Sequence, residues 1–202
     1  MPRAFNEREK GIIQTNLRAA GRELFATYGL RKTNIEDLTR AAGISKGAFY
    51  LFYDSKESLY FEIVEAFEQE FRQRIFANIQ QTGRTPRENF KTLMREAFHI
   101  WREHPMLRHL NQEDFQLLAR RLPEGRVQAH SQQDEAAITG LLEAWRAMGV
   151  TLAVDAPLLT ALMKSLFFIS FHETEIGPGY PRALEVFIDL IAGYVFEGKL
   201  AA

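Results

Sequence analysis

The stretch TNIEDLTRAAGISKGAFYLFYDSKESL, residues 33–59, carries the clearest structural pattern in the chain. Thr33 and Glu36 have the spacing of a capping box at the start of a short helix. Gly43 is placed to end that helix in the left-handed conformation, and Ser45 is placed to cap the next one. Two short helices joined by a turn that contains glycine predict a helix-turn-helix.

The second helix of this pair is predicted to cover about two turns, residues 46–52. Asp54 and Glu57 then have the spacing of another capping box, which predicts the start of a third helix. The second helix of a helix-turn-helix fits the major groove of DNA. The sequence therefore predicts that residues 46–52 face DNA.

Composition and charge agree with this expectation. The chain has 202 residues, 46% of them hydrophobic and none of them cysteine, which excludes disulfides, thiolate metal sites and a cysteine nucleophile. No apolar run approaches the roughly 18 residues of a membrane span, so we expect a cytoplasmic protein with no membrane association. Residues 1–60 hold ten Lys and Arg against seven Asp and Glu, whereas residues 61–202 hold fifteen against nineteen. The positive excess thus lies in the part that would meet phosphates.

Helical periodicity continues on both sides of this stretch, and no segment alternates like a β-strand. A first helix is predicted over residues 10–28 and ended by Gly29, and a long helix from about Leu59 to about Gln81. Thr85 is predicted to cap the helix after it. The later helices are predicted over residues 86–104, 106–122, 127–148, 158–172 and 182–197, with residues 175–181 as a loop.

The residues of the first helix and the helix-turn-helix match a known family without a gap. They are Leu24, Phe25, Tyr28, Gly29, Thr33, Ile35, Asp37, Leu38, Ala42, Gly43, Ile44, Ser45, Gly47, Phe49, Tyr50, Phe52, Lys56, Glu57 and Leu59. Over about residues 10–60 the chain resembles the tetracycline-repressor-like (TetR) family of bacterial transcription regulators. The resemblance implies an all-α fold of about nine helices, with a three-helix DNA-binding domain over residues 1–54 and a larger helical domain over residues 55–202 for ligand binding and dimerisation. It also implies a repressor that a small-molecule effector releases from a palindromic double-stranded DNA operator.

The DNA contacts expected from the resemblance and from helix geometry belong to the helix-turn-helix and its neighbours. They are Thr33, Ser45, Lys46, Gly47, Ala48, Tyr50 and Lys56. Free backbone N–H groups at the start of the recognition helix favour phosphate, and the methyl group of Ala48 suits a thymine methyl. Tyr50 resembles the family's phosphate-binding tyrosine. The alternative for the two hydroxyl residues is a capping role alone, and for the two lysines an ordinary solvated side chain.

Two helices near the end of the chain, residues 158–172 and 182–197, are apolar on more than one face. A helix of this kind must be buried on two sides, which a four-helix dimer seam provides. The alternative is a central helix buried within a monomer. We therefore expect a homodimer.

The resemblance also implies an effector pocket among the middle helices. The candidate lining residues are Phe67, Phe71, Met94, Phe98, Trp101, Phe115, Gln116, Trp145, Phe168 and His172. Aromatic residues in this number favour a small, partly apolar effector. The alternative for each aromatic side chain is ordinary core packing.

Catalysis is not expected from this sequence. His99, His104 and His109 recur at steps of five and do not share a helical face, and neither a zinc-binding histidine pair nor a phosphate-binding loop is present. We expect no enzyme activity, no metal site and no cofactor. The remaining alternative is a DNA-binding or protein-interaction module without a small-molecule effector.

Overall fold

The computed structural model describes residues 5–79 and 83–198, and their side chains except those of residues 75–79. These residues form helices and turns without a β-strand, which confirms the predicted all-α class. No helix within the described ranges is both long enough and apolar enough to cross a membrane. In chain order the α-helices are α1 Glu7–Lys32, α2 Ile35–Ala42, α3 Lys46–Phe49, α4 Lys56–Ile79, α5 Pro86–Glu103, α6 Gln112–Arg121, α7 Arg126–Ala147, α8 Ala156–Ser170, α9 Glu173–Ile176 and α10 Tyr180–Glu197.

The chain divides into two compact units. The first contains the residues up to Glu68 together with Glu103–Arg126, and the second contains Gln69–Arg102 together with the residues from Val127 onward. Helix α4 therefore begins in the first unit and continues into the second. The predicted end of this helix near Gln81 lies outside the described residues.

Local side-chain chemistry starts and ends several helices as predicted. Gly29 has φ 75° and interrupts α1, and Gly43 has φ 71° and ends α2. At the start of α5, the Thr85 N–H donates to Glu88 Oε2 at 2.9 Å, and Pro86 occupies the first helical position. At the start of α8, the Leu158 N–H donates to Asp155 Oδ1 at 2.9 Å, so Asp155 caps this helix.

Two predicted caps are wrong, in each case by one residue. The cap of α2 is Asn34, which accepts from the Asp37 N–H at 2.8 Å. The Thr33 side chain is instead buried and donates its hydroxyl to Gly29 O at 2.9 Å. The Ser58 N–H at the start of α4 donates to Ser55 Oγ at 3.1 Å, so Ser55 takes the role predicted for Asp54.

Three predicted segments are also divided differently. The recognition helix ends at Phe49, earlier than predicted. Residues 106–122 form a 3₁₀ turn at Leu107–His109 followed by α6, because Asn111 and Asp114 form a capping box that starts a separate helix. The predicted loop 175–181 is largely helical, since it contains the end of α9 and a 3₁₀ turn, and α10 begins at Tyr180.

The first unit is built around apolar faces of α1, α2 and α4. Leu17, Phe25, Leu38 and Leu59 are fully buried there. The Phe25 and Tyr60 rings meet edge to face with centroids 5.1 Å apart. This core fixes the angle at which the helix-turn-helix leaves α1.

The core of the second unit is made by α5, α7, α8 and α10. Trp145 is fully buried at its centre, with ring centroids 6.2 Å from Phe90 and 5.2 Å from Phe196. Helix α10 also faces α5 with a row of acidic residues: Glu185 pairs with Arg95 at 2.8 Å and Glu197 with Arg87 at 2.5 Å. One apolar face and one charged face of α10 are therefore occupied within the unit.

Candidate nucleic-acid interface

The helix-turn-helix is held together by its own backbone and by one serine. Gly43 ends α2 with φ 71° and ψ 32°, a left-handed conformation that favours glycine. Ser45 Oγ accepts from the Ala48 N–H at 3.1 Å, which confirms its capping role. The turn and the serine cap therefore fix the position of residues 46–48 at the start of α3.

Burial separates the two faces of this recognition segment. Phe49 is fully buried and packs on Tyr53, with ring centroids 5.8 Å apart. Lys46 and Tyr50 point outward, with about half of each side chain exposed, and Gly47 is exposed between them. Phe49 anchors the segment, and the side chains of Lys46 and Tyr50 are accessible from solvent.

Lys46 is held by an acidic residue of α2. Its Nζ lies 2.6 Å from Glu36 Oε1, and both side chains are 54% exposed. The hydrogen bond from Lys46 lowers the pKa of the Glu36 carboxyl, and the same bond raises the pKa of Lys46. An exposed pair of this kind contributes little to stability, so an incoming phosphate can displace Glu36.

The Lys56 side chain, a predicted DNA contact, is bonded within the protein. Its Nζ donates to three main-chain oxygens, at 2.8 Å to Leu30 O, 3.0 Å to Arg31 O and 2.6 Å to Thr33 O. These bonds use all three donors of the ammonium group. Burial lowers the pKa of Lys56. Lys56 therefore joins the start of α4 to the end of α1.

The Thr33 side chain, another predicted DNA contact, is also bonded within the protein. It is 1% exposed, and its hydroxyl donates to Leu24 O and Gly29 O. Asn34 takes the capping role predicted for this side chain, and the hydroxyl expected to contact phosphate is buried. The predicted DNA contacts that remain on the surface are Ser45, Lys46, Gly47, Ala48 and Tyr50.

Sequence reasoning missed three residues of this surface. Glu36 was considered only as a capping residue, and no local signal shows that it reaches Lys46 across the turn. Asn34 had the Asn-x-x-Asp spacing of a cap with Asp37, which is a readable signal. Arg121, at the end of α6, lines the same groove as Lys46 and is distant in sequence, so nothing local identifies it.

The predicted effector residues are divided between the two units. Phe67, Phe115 and Gln116 belong to the first unit, where the Phe67 and His104 rings lie tilted against each other with centroids 4.2 Å apart. The others belong to the second unit: Phe71, Met94, Phe98, Trp101, Trp145, Phe168 and His172.

Within the second unit these residues have different environments. Met94, Phe98 and Trp145 lie in the hydrophobic core of the unit. For the aromatic side chains, this packing is the alternative to a place in the pocket lining. Trp101 meets Phe167 edge to face with centroids 4.2 Å apart.

Three members of the predicted lining lie on the surface of the chain. Phe168 is 53% exposed, His172 is exposed and bonds to Glu175, and Gln116 is exposed in the first unit. These three side chains are therefore not enclosed within either unit, and the effector pocket itself stays a prediction.

Comparisons with known proteins agree with this geometry. Residues 17–63 match the family described as bacterial regulatory proteins, tetR family. The HTH-type transcriptional regulator YerO of Bacillus subtilis (strain 168) is 35% identical over 101 residues, which is 49% of this chain and 33% of that relative. The chain thus matches about a third of the length of the curated relatives.

Solved structures share the fold over nearly the whole chain. A TetR-family transcriptional regulator from Pectobacterium atrosepticum superposes with a TM-score of 0.71 at 18% identity, covering 98% of this chain and 99% of that one. Thermus thermophilus FadR, a TetR-family transcriptional repressor in complex with lauroyl-CoA, superposes with a TM-score of 0.65 at 21% identity, covering 94% and 96%. Residues 17–63, which contain the helix-turn-helix, therefore match the tetR family of bacterial regulatory proteins, and the chain shares the all-helical fold of solved TetR-family regulators.

Proposed function

We propose that this protein is a DNA-binding transcriptional regulator, a homodimeric repressor that a small-molecule effector releases from a palindromic operator. The observation that carries the proposal is the recognition segment, in which buried Phe49 anchors a turn that exposes Lys46, Gly47 and Tyr50. A cation, a glycine and a tyrosyl hydroxyl in this order suit the phosphates and groove edge of a duplex.

The proposal is tested by fluorescence anisotropy with the purified protein and a labelled duplex from the region upstream of its own gene. We expect tight binding that resists scrambled competitor DNA and weakens steeply as salt rises, because counterions are released on binding. Weak binding, equal on both duplexes, would contradict a specific operator in that region.

Glu36→Gln and Lys46→Ala are expected to change DNA affinity in opposite directions. Both variants lose the same ion pair, so their effects on stability are matched and small. Glu36→Gln removes a negative charge beside the bound phosphate and frees Lys46, so we expect affinity to rise about threefold. Lys46→Ala removes a phosphate contact, so we expect affinity to fall about tenfold and the salt dependence to flatten.

Anisotropy titrations of the two variants beside the wild type measure both effects, with thermal melts as the control for folding. If DNA affinity changed in the same direction in both variants, the loss of the Glu36–Lys46 ion pair would be the cause of the change. That result would contradict the placement of Lys46 against DNA.

Dimerisation is proposed through the second unit. Helix α10 buries Leu184 and Ile188 within its own unit, yet it leaves Val186 and Phe187 exposed on a different face. On α8, Leu158 and Phe168 are exposed in the same way. Exposed apolar residues on two neighbouring helices support an interface between two copies of this chain.

The proposal assigns DNA binding to residues 1–54 and effector binding and dimerisation to residues 55–202. A palindromic site read by two recognition segments places them about one DNA turn apart, roughly 34–36 Å. Helix α4 is continuous from Lys56 into the second unit, and it is the element through which an effector would change that separation. The effector works only through its different affinities for the two arrangements.

A small, partly apolar effector is supported by the aromatic cluster around Trp101. Phe167 and Phe171 meet its ring with centroids 4.2 and 6.1 Å away, and these contacts join α5 to the end of α8 and the residue that follows it. Lauroyl-CoA is the ligand of the Thermus protein with the same fold. For this chain we propose the class of partly apolar molecules, to which such thioesters belong.

Tryptophan fluorescence distinguishes a regulator that binds a small, partly apolar effector from a module without an effector. The chain has two tryptophans, and Trp145→Phe leaves Trp101 as the sole reporter. Titration with acyl-CoA thioesters and apolar carboxylic acids is expected to give a saturable change together with release of DNA. No saturable change with any of them, and unaltered DNA binding, would favour the module without an effector.

A further inference from the structure

An open groove of about 380 Å³ lies on the first unit, beside the recognition segment. It is bounded by the starts of α2 and α4, by α3 and by the end of α6. Its charged lining includes three cations, Lys46, Lys56 and Arg121. The groove therefore joins residues expected to meet DNA to a helix from much later in the chain.

Two of these cations are occupied by partners within the protein. Lys46 pairs with Glu36, and Lys56 donates to three main-chain oxygens. The Arg121 side chain is exposed, and within the described ranges its guanidinium has neither an ion pair nor a hydrogen bond. Arg121 is thus the cation of this groove that is ready for an external anion.

Helix α6 is fixed to the DNA-binding part of the unit at its start. Arg31 Nε lies 2.9 Å from Asp114 Oδ1, and Arg31 also pairs with Glu113 at 2.5 Å. The His109 ring lies 3.1 Å from Ala26 O, which adds a second link to α1. A helix of this length spans about 15 Å, so the anchored start holds Arg121 in place at the far end.

Three carboxylates also line the groove, and their charges bear on whether an anion can bind at Arg121. Glu36 is neutralised by Lys46, and Glu57 is buried. Asp54 is exposed and, among the residues that the structure describes, has no ion-pair partner. Asp54 therefore opposes anion binding, and its removal is a useful probe.

We propose that Arg121 binds a phosphate of the DNA backbone, as a contact outside the helix-turn-helix. The inference rests on the proposed DNA-binding function and extends the interface to α6. A guanidinium is suited to this role because its planar donors match phosphate oxygens. The contact positions the protein on the duplex and carries no sequence information.

The test compares Arg121→Gln with Arg120→Gln, its neighbour at the end of the same helix, which does not line the groove. The probe is a short mixed-sequence duplex, and binding of the full chain is followed by anisotropy across a salt series. For Arg121→Gln we expect the slope of log K against log salt to fall by about 0.9 for each chain engaged, about 1.8 for a homodimer, with roughly tenfold weaker binding. Arg120→Gln is expected to behave like the wild type.

Two outcomes overturn the inference: an unchanged slope in Arg121→Gln, or an equal loss in both variants. A second test is made in an Asp54→Asn background, where Arg121→Gln must still weaken binding. A loss that disappears there would mean that Arg121 only neutralises Asp54. A wild-type chain that binds no duplex at low salt would instead overturn the proposed function itself.

Discussion

Replacing both Phe168 and Phe187 with glutamate is expected to convert the protein to a monomer and to weaken operator binding by about 100-fold or more. The two side chains are 53% and 39% exposed, on α8 and α10 respectively. Charges placed in an apolar seam must be desolvated on association, which opposes the dimer. A monomer then meets only one half-site, and about half of its phosphate contacts are lost. Sedimentation measures the mass, and anisotropy the affinity.

The control is Val127→Glu, which places one glutamate on an exposed apolar residue of α7 in the same unit. This variant is expected to remain dimeric and to bind DNA normally. A double variant that stays dimeric, or a control that dissociates equally, would contradict the proposed seam.

Lys56→Met is expected to destabilise the protein, whereas Lys46→Ala is expected to affect only DNA binding. Methionine keeps the apolar stem of Lys56 but loses its three hydrogen bonds to Leu30, Arg31 and Thr33. Charge-assisted bonds and the carbonyls left unpaired are together worth roughly 2–4 kcal/mol. Thermal melts should show a fall in Tm of about 5–10 °C for a chain of this size.

Melting and DNA binding of the two lysine variants together decide which lysine meets DNA. If Lys56→Met melts like the wild type and yet loses DNA affinity, Lys56 reaches phosphate after all. If Lys46→Ala lowers Tm by as much as Lys56→Met, the exposed pair with Glu36 has a structural role that its geometry does not explain.

Local chemistry was predictable where one residue alone could perform a role. Gly43 stands where the turn requires a positive φ, and Ser45 is followed at the right distance by a free N–H group. Thr85 with Glu88 is a further example. These features depend on residues within four positions of one another, so the sequence contains all the information needed.

Predictions failed where two adjacent residues could perform the same role. Thr33 and Asn34 can both cap α2, and the choice depends on α1, whose carbonyls bind the Thr33 hydroxyl. The bonding of Lys56 also depends on α1, because its partners lie more than twenty positions away in the sequence. The positions of the Thr33 and Lys56 side chains are therefore set by contacts with α1, which local sequence patterns do not reveal.

The most direct test of the central claim is selection of bound duplexes from a randomised library by the purified full-length protein. A dimer that reads DNA with two recognition segments predicts enrichment of a two-fold symmetric sequence, with half-site centres about one helical turn apart. Recovery of no sequence above its frequency in the input library would contradict sequence-specific DNA binding.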